Sequence, residues 1–305
     1  MRVLVTGGAG FIGSHVVERI LECGHEVAVV DDLSTGKREN VPKGAKLYIQ
    51  DIRSGCVEIF QEFRPEILVH QAAQMDVRRS VREPDFDAEV NVLGTVRLLQ
   101  SCVDYKVTRV VFASTGGAIY GEQEKFPAPE NHPQYPISPY GVSKLAGERY
   151  LHFYNVQYGI SYAALRYANV YGPRQDPHGE AGVVAIFSGN LVAGRLSKIN
   201  GSGKQTRDYV YVKDVAQANV LALGSHLPNG AYNIGTGIET SVNELYSRMH
   251  NLSGKNLPPE RGPQPSGEQM RSAVDPSMAA KLLNWHPEIS LDTGLEETLR
   301  FFATL

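Results

Sequence analysis

A tyrosine and a lysine four residues apart are the first side chains whose types and spacing suggest catalysis. Pro139 precedes the segment Tyr140-Gly141-Val142-Ser143-Lys144 and suits the first turn of a helix, where residues four apart share one face. The ammonium of Lys144 would lower the pKa of the Tyr140 phenol toward neutrality, so that the phenol could act as an acid or base. The same spacing also arises by chance on exposed amphipathic helices.

Two hydroxyl side chains follow a strand-like run and could complete this group. Ser114 and Thr115 come directly after Arg109–Ala113, at the carboxyl end of a predicted strand, where doubly wound sheets place their ligands. Either hydroxyl could hydrogen-bond the reacting oxygen beside Tyr140. The residues alone leave the choice between Ser114 and Thr115 open.

A glycine-rich turn near the amino terminus predicts a dinucleotide site. The strand-like run Arg2–Thr6 leads into Gly7, Gly10 and Gly13, and a helical pattern follows. Gly7 would permit the tight turn, Gly10 the approach of a pyrophosphate, and Gly13 the packing of helix on sheet. The phosphates would lie at the positive end of that helix.

Acidic residues after the next strands indicate which dinucleotide would bind. The run Glu26–Val30 ends at Asp31 and Asp32, and a carboxylate there can accept hydrogen bonds from both ribose hydroxyls. A 2'-phosphate would face two negative charges, so we expect NAD rather than NADP. Asp51 follows the next strand-like run and could reach the adenine amino group or cap the following helical segment.

The order of elements predicts the fold class. Strand patterns alternate with helical ones in the first half, which favours an α/β fold with a doubly wound (Rossmann) parallel sheet. The strand patterns cover residues 46–50, 66–70 and 109–113, and a helical pattern covers 88–104. The second half is predicted to hold a loop over 171–182, a helix over 187–195, a strand over 207–212, a helix over 214–223 and a proline-rich loop over 256–267.

These patterns predict two domains around a cleft. Residues 1–168 would form the NAD-binding Rossmann domain, and 208–235 would return to it. Residues 169–305 would form a second, smaller, partly discontinuous α/β domain that binds the substrate.

Composition narrows the functional classes. The 305 residues are 42% hydrophobic and 21% charged with a net charge of -3, which argues against disorder and against a nucleic-acid-binding surface. No apolar run approaches the roughly 20 residues of a membrane helix, and no signal peptide is expected. Three widely spaced cysteines favour a reducing compartment, so we expect a cytoplasmic protein. Histidines and cysteines show no metal-ligand spacing, and we expect no metal.

Together these motifs resemble the extended short-chain dehydrogenase/reductase family, of the NAD-dependent epimerase/dehydratase type. The resemblance spans essentially the whole chain. It is carried by the glycine turn, Asp31, the Tyr-Lys pair and four further segments: Ala72-Ala73, Asn91-Val92-Leu93-Gly94-Thr95, Arg166–Arg174 and Arg207–Val210. Within the family the chain is most similar to the 4-epimerases of UDP-hexoses.

The resemblance implies an isomerase that uses bound NAD in galactose and other carbohydrate metabolism. NAD would take a hydride from C4 of a UDP-hexose while Tyr140 removes the O4 proton, and the hydride would return to the other face of a 4-keto sugar. Lys144 would also bond the nicotinamide ribose, and Thr115 would be the hydroxyl partner. The UDP-sugar would be UDP-glucose or UDP-galactose.

The resemblance also assigns binding residues. The cofactor would contact Gly7, Gly10, Phe11, Ile12, Gly13, Asp31, Asp32, Ser34, Thr35, Gly36, Asp51, Ile52, Gln71, Ala72, Ala73, Gln74, Asn91, Ser114, Tyr140, Lys144 and Tyr167. The substrate would contact Thr115, Asn169, Arg207, Glu268, Arg271 and Ser272. Guanidinium groups suit a pyrophosphate, although either arginine could instead form a surface salt bridge.

The resemblance further implies a homodimer. Helices around 88–104 and 143–158 would pair across a two-fold axis. The apolar residues available there could equally belong to the core: Val142, Leu145, Tyr150 and Phe153.

Other activities of the same fold remain as alternatives. Nucleotide-sugar 4,6-dehydratases carry acids directly after the threonine, where this chain has Gly116 and Gly117, which cannot transfer protons. Arg174 could meet a uronate, as in a UDP-glucuronate 4-epimerase, and a non-catalytic NAD-binding regulator is a further class. The small side chain of Ser272 would leave room for an N-acetyl group, so UDP-GlcNAc and UDP-GalNAc are candidate substrates.

Overall fold

Strands form the central layer of the molecule and small sheets beside it. The structure, a computed structural model, describes residues 1–177, 182–224, 226–264 and 269–305. The strands within these ranges are β1 Arg2–Thr6, β2 Glu26–Asp31, β3 Lys46–Ile49, β4 Ile67–His70, β5 Arg109–Thr115, β6 Ser161–Tyr167, β7 Asn169–Tyr171, β8 Lys198–Asn200, β9 Thr206–Arg207, β10 Tyr209–Tyr211, β11 Gly230–Ile234, β12 Thr240–Ser241 and β13 Glu260–Gly262.

Helices cover both faces of the central layer and build most of the second half. They are α1 Phe11–Glu22, α2 Val57–Phe63, α3 Val77–Arg82, α4 Pro84–Ala88, α5 Thr95–Asp104, α6 Pro139–Tyr158, α7 Val183–Val192, α8 Val212–Leu221, α9 Val242–Ser253, α10 Ser277–Leu283 and α11 Leu291–Phe302. A π-helical segment, Glu89–Gly94, joins α4 to α5. Short 3-10 turns cover Arg38–Asn40 and Ile52–Ser54.

The central sheet has seven parallel strands in the order β11-β6-β5-β4-β1-β2-β3. One face packs against α1 and α8 and the other against α2, α5 and α6, and two apolar cores fill these layers. Because helices cover both faces, the central residues of β1 and β4 are all buried and apolar: Val3–Val5 and Ile67–Val69. The predicted doubly wound parallel sheet is confirmed.

Several predicted elements have different ends in the structure. β5 continues through Ser114 and Thr115, because they pair in register with Arg166 and Tyr167 of β6. The helical pattern predicted over 88–104 contains the π-helical segment, and the helix predicted over 187–195 is α7, which begins four residues earlier. The strand predicted over 207–212 is split into β9 and β10, and β13 lies within the predicted loop 256–267.

The second half is built around its own apolar core and three small two-stranded sheets. Helices α7, α9 and α11 pack together there through residues that include Phe187, Tyr246 and Leu295. β11 leaves this half and pairs with β6 in the central sheet. The predicted domain boundaries stay a prediction. Their main support is that β11, from the second half of the chain, joins the central sheet.

Candidate active site

A cleft of about 1250 Å³ runs along the carboxyl ends of the central strands and is lined by both halves of the chain. Most of the residues proposed from sequence line it: Gly7, Gly10, Phe11, Ile12, Gly13, Asp31, Asp32, Ser34, Thr35, Asp51, Ile52, Gln71, Ala72, Ala73, Gln74, Ser114, Thr115, Tyr140, Lys144, Tyr167, Asn169 and Arg207. The cleft therefore contains the glycine turn at one end and the Tyr-Lys pair with Thr115 further along.

The glycine turn has room for backbone only. Gly7 has a φ of 71°, and a β-carbon there would lie 2.6 Å from the backbone nitrogen of Ala72. A β-carbon at Gly13 would overlap the carbonyl oxygen of Gly7. Gly10 caps α1 without a side-chain hydrogen bond, and no acidic residue lies in the first turn. The positive end of α1 therefore faces the cleft unshielded, as a diphosphate site requires.

Asp31 lies at the end of β2 beside this turn. Its two carboxylate oxygens accept hydrogen bonds of 2.9 Å from the backbone nitrogens of Ala9 and Leu33. Burial raises the pKa of Asp31, and these backbone bonds oppose the rise. Gly36 does not line the cleft, and a β-carbon there would lie 2.7 Å from Asp31 Oδ1, so its small size makes space for the carboxylate.

Asp51 and Asn91, two further residues proposed to contact the cofactor, form hydrogen bonds with backbone atoms. Asp51 caps the turn Ile52–Ser54 by accepting from the backbone nitrogen of Arg53 at 2.8 Å, and its contact with adenine stays a prediction. Asn91 lies outside the cleft lining and clamps both backbone groups of Gln74, accepting from its nitrogen at 2.9 Å and donating to its oxygen at 2.8 Å. Asn91 thus holds the cleft wall in place.

The Tyr-Lys pair lies at the start of α6. Ser138 caps this helix by accepting from the backbone nitrogen of Gly141, which puts Tyr140 in the first turn. Lys144 is buried, with its Nζ 3.0 Å from the carbonyl oxygen of Ala113 and 5.9 Å from the centre of the Tyr140 ring. The ammonium is therefore fixed near the phenol at the end of β5.

The two hydroxyls at the end of β5 have different surroundings. Ser114 is buried and its Oγ donates to Glu148 Oε1 at 2.6 Å. Thr115 is less buried and lines the cleft, with its Oγ1 3.9 Å from the position of a β-carbon at Gly117. The geometry favours Thr115 as the hydroxyl that faces a substrate.

Glu148 and Arg166, which sequence reasoning missed, form a buried ion pair beside Ser114. Arg166 Nε donates to Glu148 Oε1 at 2.9 Å and its NH2 group to Oε2 at 2.7 Å, and both side chains are less than 10% exposed. Arg166 also donates to the Tyr120 hydroxyl at 2.9 Å. The signal was present, because Glu148 follows Lys144 by four residues and Arg166 interrupts an apolar strand.

The two glycines after Thr115 differ in their surroundings. A β-carbon at Gly116 would lie 2.7 Å from Val274 Cγ1, whereas one at Gly117 would have no neighbour closer than 3.9 Å. Val274, from the second half of the chain, therefore occupies the space beside Gly116. The space beside Gly117 opens into the cleft.

The substrate candidates are only partly brought together. Asn169 of β7 and Arg207 of β9 line the cleft, and the backbone nitrogen of Asn169 donates to the carbonyl oxygen of Asp208, the residue after Arg207, at 2.9 Å. Arg271 lies outside the cleft lining, stacks 3.7 Å from the Phe126 ring centre and pairs with Glu239 at 2.5 Å, so the salt-bridge alternative describes it. Ser272 is buried and also outside the lining. Glu268 lies outside the described residues.

A doubly wound sheet with a glycine turn and a Tyr-Lys pair in one cleft defines a dinucleotide-dependent enzyme of the Rossmann class. The chain belongs to the NAD dependent epimerase/dehydratase family, whose model matches residues 3–235. The residues of the turn and of Asp31 fit the family's cofactor, because the glycine cradle leaves room for backbone contact only.

Similar proteins and similar solved structures align with nearly the whole chain. UDP-glucose 4-epimerase of Mycolicibacterium smegmatis is 46% identical over 99% of this chain and 98% of its own. The structure of UDP-glucose 4-epimerase from Thermotoga maritima with UDP-glucose is 47% identical with a TM-score of 0.97, covering 100% and 99% of the two chains. That of the Thermus thermophilus enzyme with NAD is 48% identical with a TM-score of 0.93, covering 99% of each.

Proposed function

We propose that this chain is a UDP-hexose 4-epimerase that interconverts UDP-glucose and UDP-galactose with bound NAD. The observation that carries the proposal is the placement of Tyr140, Lys144 and Thr115 in one cleft with the glycine turn. The names of relatives above 45% identity support the substrate class. The absence of an acid at Gly116 and Gly117 supports epimerisation over 4,6-dehydration.

The chain's own residues would move one proton and hold the reacting oxygen. Tyr140 would take the proton from O4 and later return it, and the nearby ammonium of Lys144 would stabilise the phenolate. Thr115 would also hydrogen-bond O4. When bound, NAD supplies the acceptance of a hydride at C4 and its return. The glycine turn and Asp31 would hold it.

Two residues bear on the range of sugars that the protein would accept. Accepting UDP-GlcNAc would require space near Ser272, which is small but outside the cleft lining. A uronate would require Arg174, whose guanidinium is already engaged by Ser14 and Glu18. We therefore favour neutral hexoses, with the N-acetylhexosamines as a second candidate.

Cofactor analysis and a sugar panel test the proposal together. Purified protein is denatured to release and quantify NAD, and UDP-glucose, UDP-galactose, UDP-GlcNAc and UDP-glucuronate are each followed by product chromatography. We expect UDP-glucose and UDP-galactose to interconvert without net NADH formation, and Y140F to lose most activity while binding NAD. If NAD-loaded protein interconverts none of the UDP-sugars, the proposal is refuted. If it interconverts UDP-glucose and UDP-galactose but does not convert UDP-GlcNAc, only the second candidate is removed.

A homodimer is proposed from the exposed apolar residues of α6. Val142 and Phe153 are 53% and 50% exposed, and Tyr150 is also exposed, whereas Leu145 packs on the Ile119 cluster and belongs to the core. Apolar side chains grouped on one surface are typical of an interface. Analytical ultracentrifugation tests this, and a monomer at micromolar concentration would argue against it.

We also propose a cytoplasmic location. All three cysteines are described and none forms a disulfide, which suits a reducing compartment. None of the described helices combines the length and apolarity needed to cross a membrane. The proposed ligands are NAD and a UDP-sugar.

A further inference from the structure

The loop after β7 is bound to α1 through an arginine. Arg174 donates from NH1 to Ser14 Oγ at 3.1 Å and from NH2 to Glu18 Oε1 at 2.5 Å. Its φ of 69° lies in the left-handed region, which is unfavourable for a residue with a side chain. The contacts with α1 therefore hold the loop in a conformation that Arg174 would otherwise avoid.

A histidine on α1 binds the residue before this arginine. His15 Nε2 lies 3.1 Å from the carbonyl oxygen of Pro173, and His15 Nδ1 lies 3.6 Å from Glu18 Oε2. Burial is the main cause that lowers the pKa of His15, and the positive charge of Arg174 adds to it. Because a carbonyl oxygen can only accept, Nε2 is the nitrogen that carries the proton donated to Pro173. Two successive loop residues are thus held by one helix.

The charge of Arg174 lies where a cation is unfavourable. Ser14 belongs to the first turns of α1, whose amino end is positive, and that helix has no acid in its first turn. Glu18 offsets one positive charge from further along the helix. Arg174 also lines the same cleft as Gly10 and Gly13. A bound dianion beside the turn would balance the remaining positive potential, and the diphosphate of a dinucleotide has that charge.

We propose that Arg174 retains the cofactor by holding the loop Gly172–Gln175 against α1 beside the diphosphate site. Release of NAD would then require the loop to move, which breaks the bonds of Arg174 to Ser14 and Glu18. The inference rests on the proposed function, because an epimerase returns the hydride to the sugar that lost it and gains from slow cofactor release. It assigns Arg174 to the cofactor rather than to a sugar carboxylate.

The rate of NAD release tests this assignment without any sugar. Protein loaded with radiolabelled NAD is chased with excess unlabelled NAD, and bound label is followed by rapid desalting. We expect R174M to release label at least tenfold faster than the original protein. E18Q should release it several-fold faster, because it weakens the anchor of the loop but keeps Arg174.

A matched control is R195M, since Arg195 is exposed, hydrogen-bonds Asn190 and lies outside the cleft lining. Its release rate should equal that of the unaltered protein. Release rates of R174M and E18Q within twofold of that value would overturn the inference. E18Q covers the case in which R174M fails to fold, because it replaces the carboxylate by an amide of nearly the same shape.

The outcome can be separated from that of the proposed function. If the unaltered protein interconverts UDP-sugars but R174M and E18Q keep NAD as tightly as it does, this inference fails and the proposed function stands. If the unaltered protein binds NAD but converts no UDP-sugar, the proposed function fails. Fast release from R174M would still support the role of Arg174 in that case.

Discussion

Ser114 Oγ donates a 2.6 Å hydrogen bond to Glu148 Oε1, so the first hydroxyl at the end of β5 is engaged by α6. Lys144, one helical turn earlier, donates to the oxygen of Ala113. Two successive turns of α6 therefore form hydrogen bonds with two successive residues of β5. The next residue, Thr115, is held at the cleft by this arrangement.

The two hydroxyls are expected to respond differently to removal. T115A should lower kcat by about 10²-fold, because a positioned group at the reacting oxygen contributes on that order. S114A should lower kcat less than tenfold and reduce the free energy of unfolding by about 1–3 kcal/mol, because it leaves a buried acceptor without one donor. Steady-state kinetics and urea unfolding measure both. A larger kcat loss for S114A would reverse the assignment.

The buried ion pair is expected to contribute strongly to stability. E148Q should lower the free energy of unfolding by about 3–5 kcal/mol, because Arg166 would keep a buried charge without its counterion. E296Q is the control, since Glu296 and Arg300 form an exposed pair on α11 whose loss should cost less than about 1 kcal/mol. Urea denaturation of both variants is the measurement, and equal losses would contradict this account.

Gly116 and Gly117, the two glycines after Thr115, form a matched pair for substitution. G116A should lower the free energy of unfolding by about 1–3 kcal/mol, because its methyl group would meet Val274. G117A should change it by less than about 0.5 kcal/mol, since the added methyl group enters open space. Thermal and urea unfolding distinguish them, and a G116A as stable as G117A would show that Val274 yields easily.

A buried histidine is expected to make the fold less stable in acid. Thr6 donates to His70 Nδ1 at 2.7 Å and His70 Nε2 donates to Thr95 at 2.9 Å, so the neutral ring is fully bonded. Burial, aided by the charge of Lys144, lowers the pKa of His70 to about 3 from 6.5. Between these values the unfolded chain binds a proton that the folded chain does not, so stability rises with pH up to about 6.5 and is constant above it.

The size of this effect can be isolated by substitution. At pH 5 the histidine should cost about 2 kcal/mol relative to pH 7.5, from the difference between the two pKa values. Urea unfolding of the unaltered protein and of H70Q at both pH values gives the measurement. The pH dependence should be smaller in H70Q by that amount, and identical pH dependence in both would contradict the buried neutral ring.

Local sequence patterns were sufficient to predict the central sheet and the glycine turn in the first half of the chain. The alternation of strands and helices and the glycine spacing at Gly7, Gly10 and Gly13 each depend on neighbouring residues, so the parallel sheet and the turn could be predicted. The same holds for Tyr140 and Lys144, whose shared helix face follows from the period of an α-helix. Element ends were less accurate, as in β5, because pairing with β6 extends it.

The sequence by itself determined the α/β class and the family, and it predicted many of the residues that line the cleft, because these follow from local periodicity and from motifs of fixed spacing. Only the tertiary structure showed that Ser114 is bonded to Glu148 and that Arg271 lies outside the cleft lining. It also decided that Arg174 is bound to α1. Each of these depends on contacts between residues distant along the chain, such as Ser114 with Glu148 and Arg174 with Glu18. Spacing in sequence does not encode which side chains meet across the folded layers.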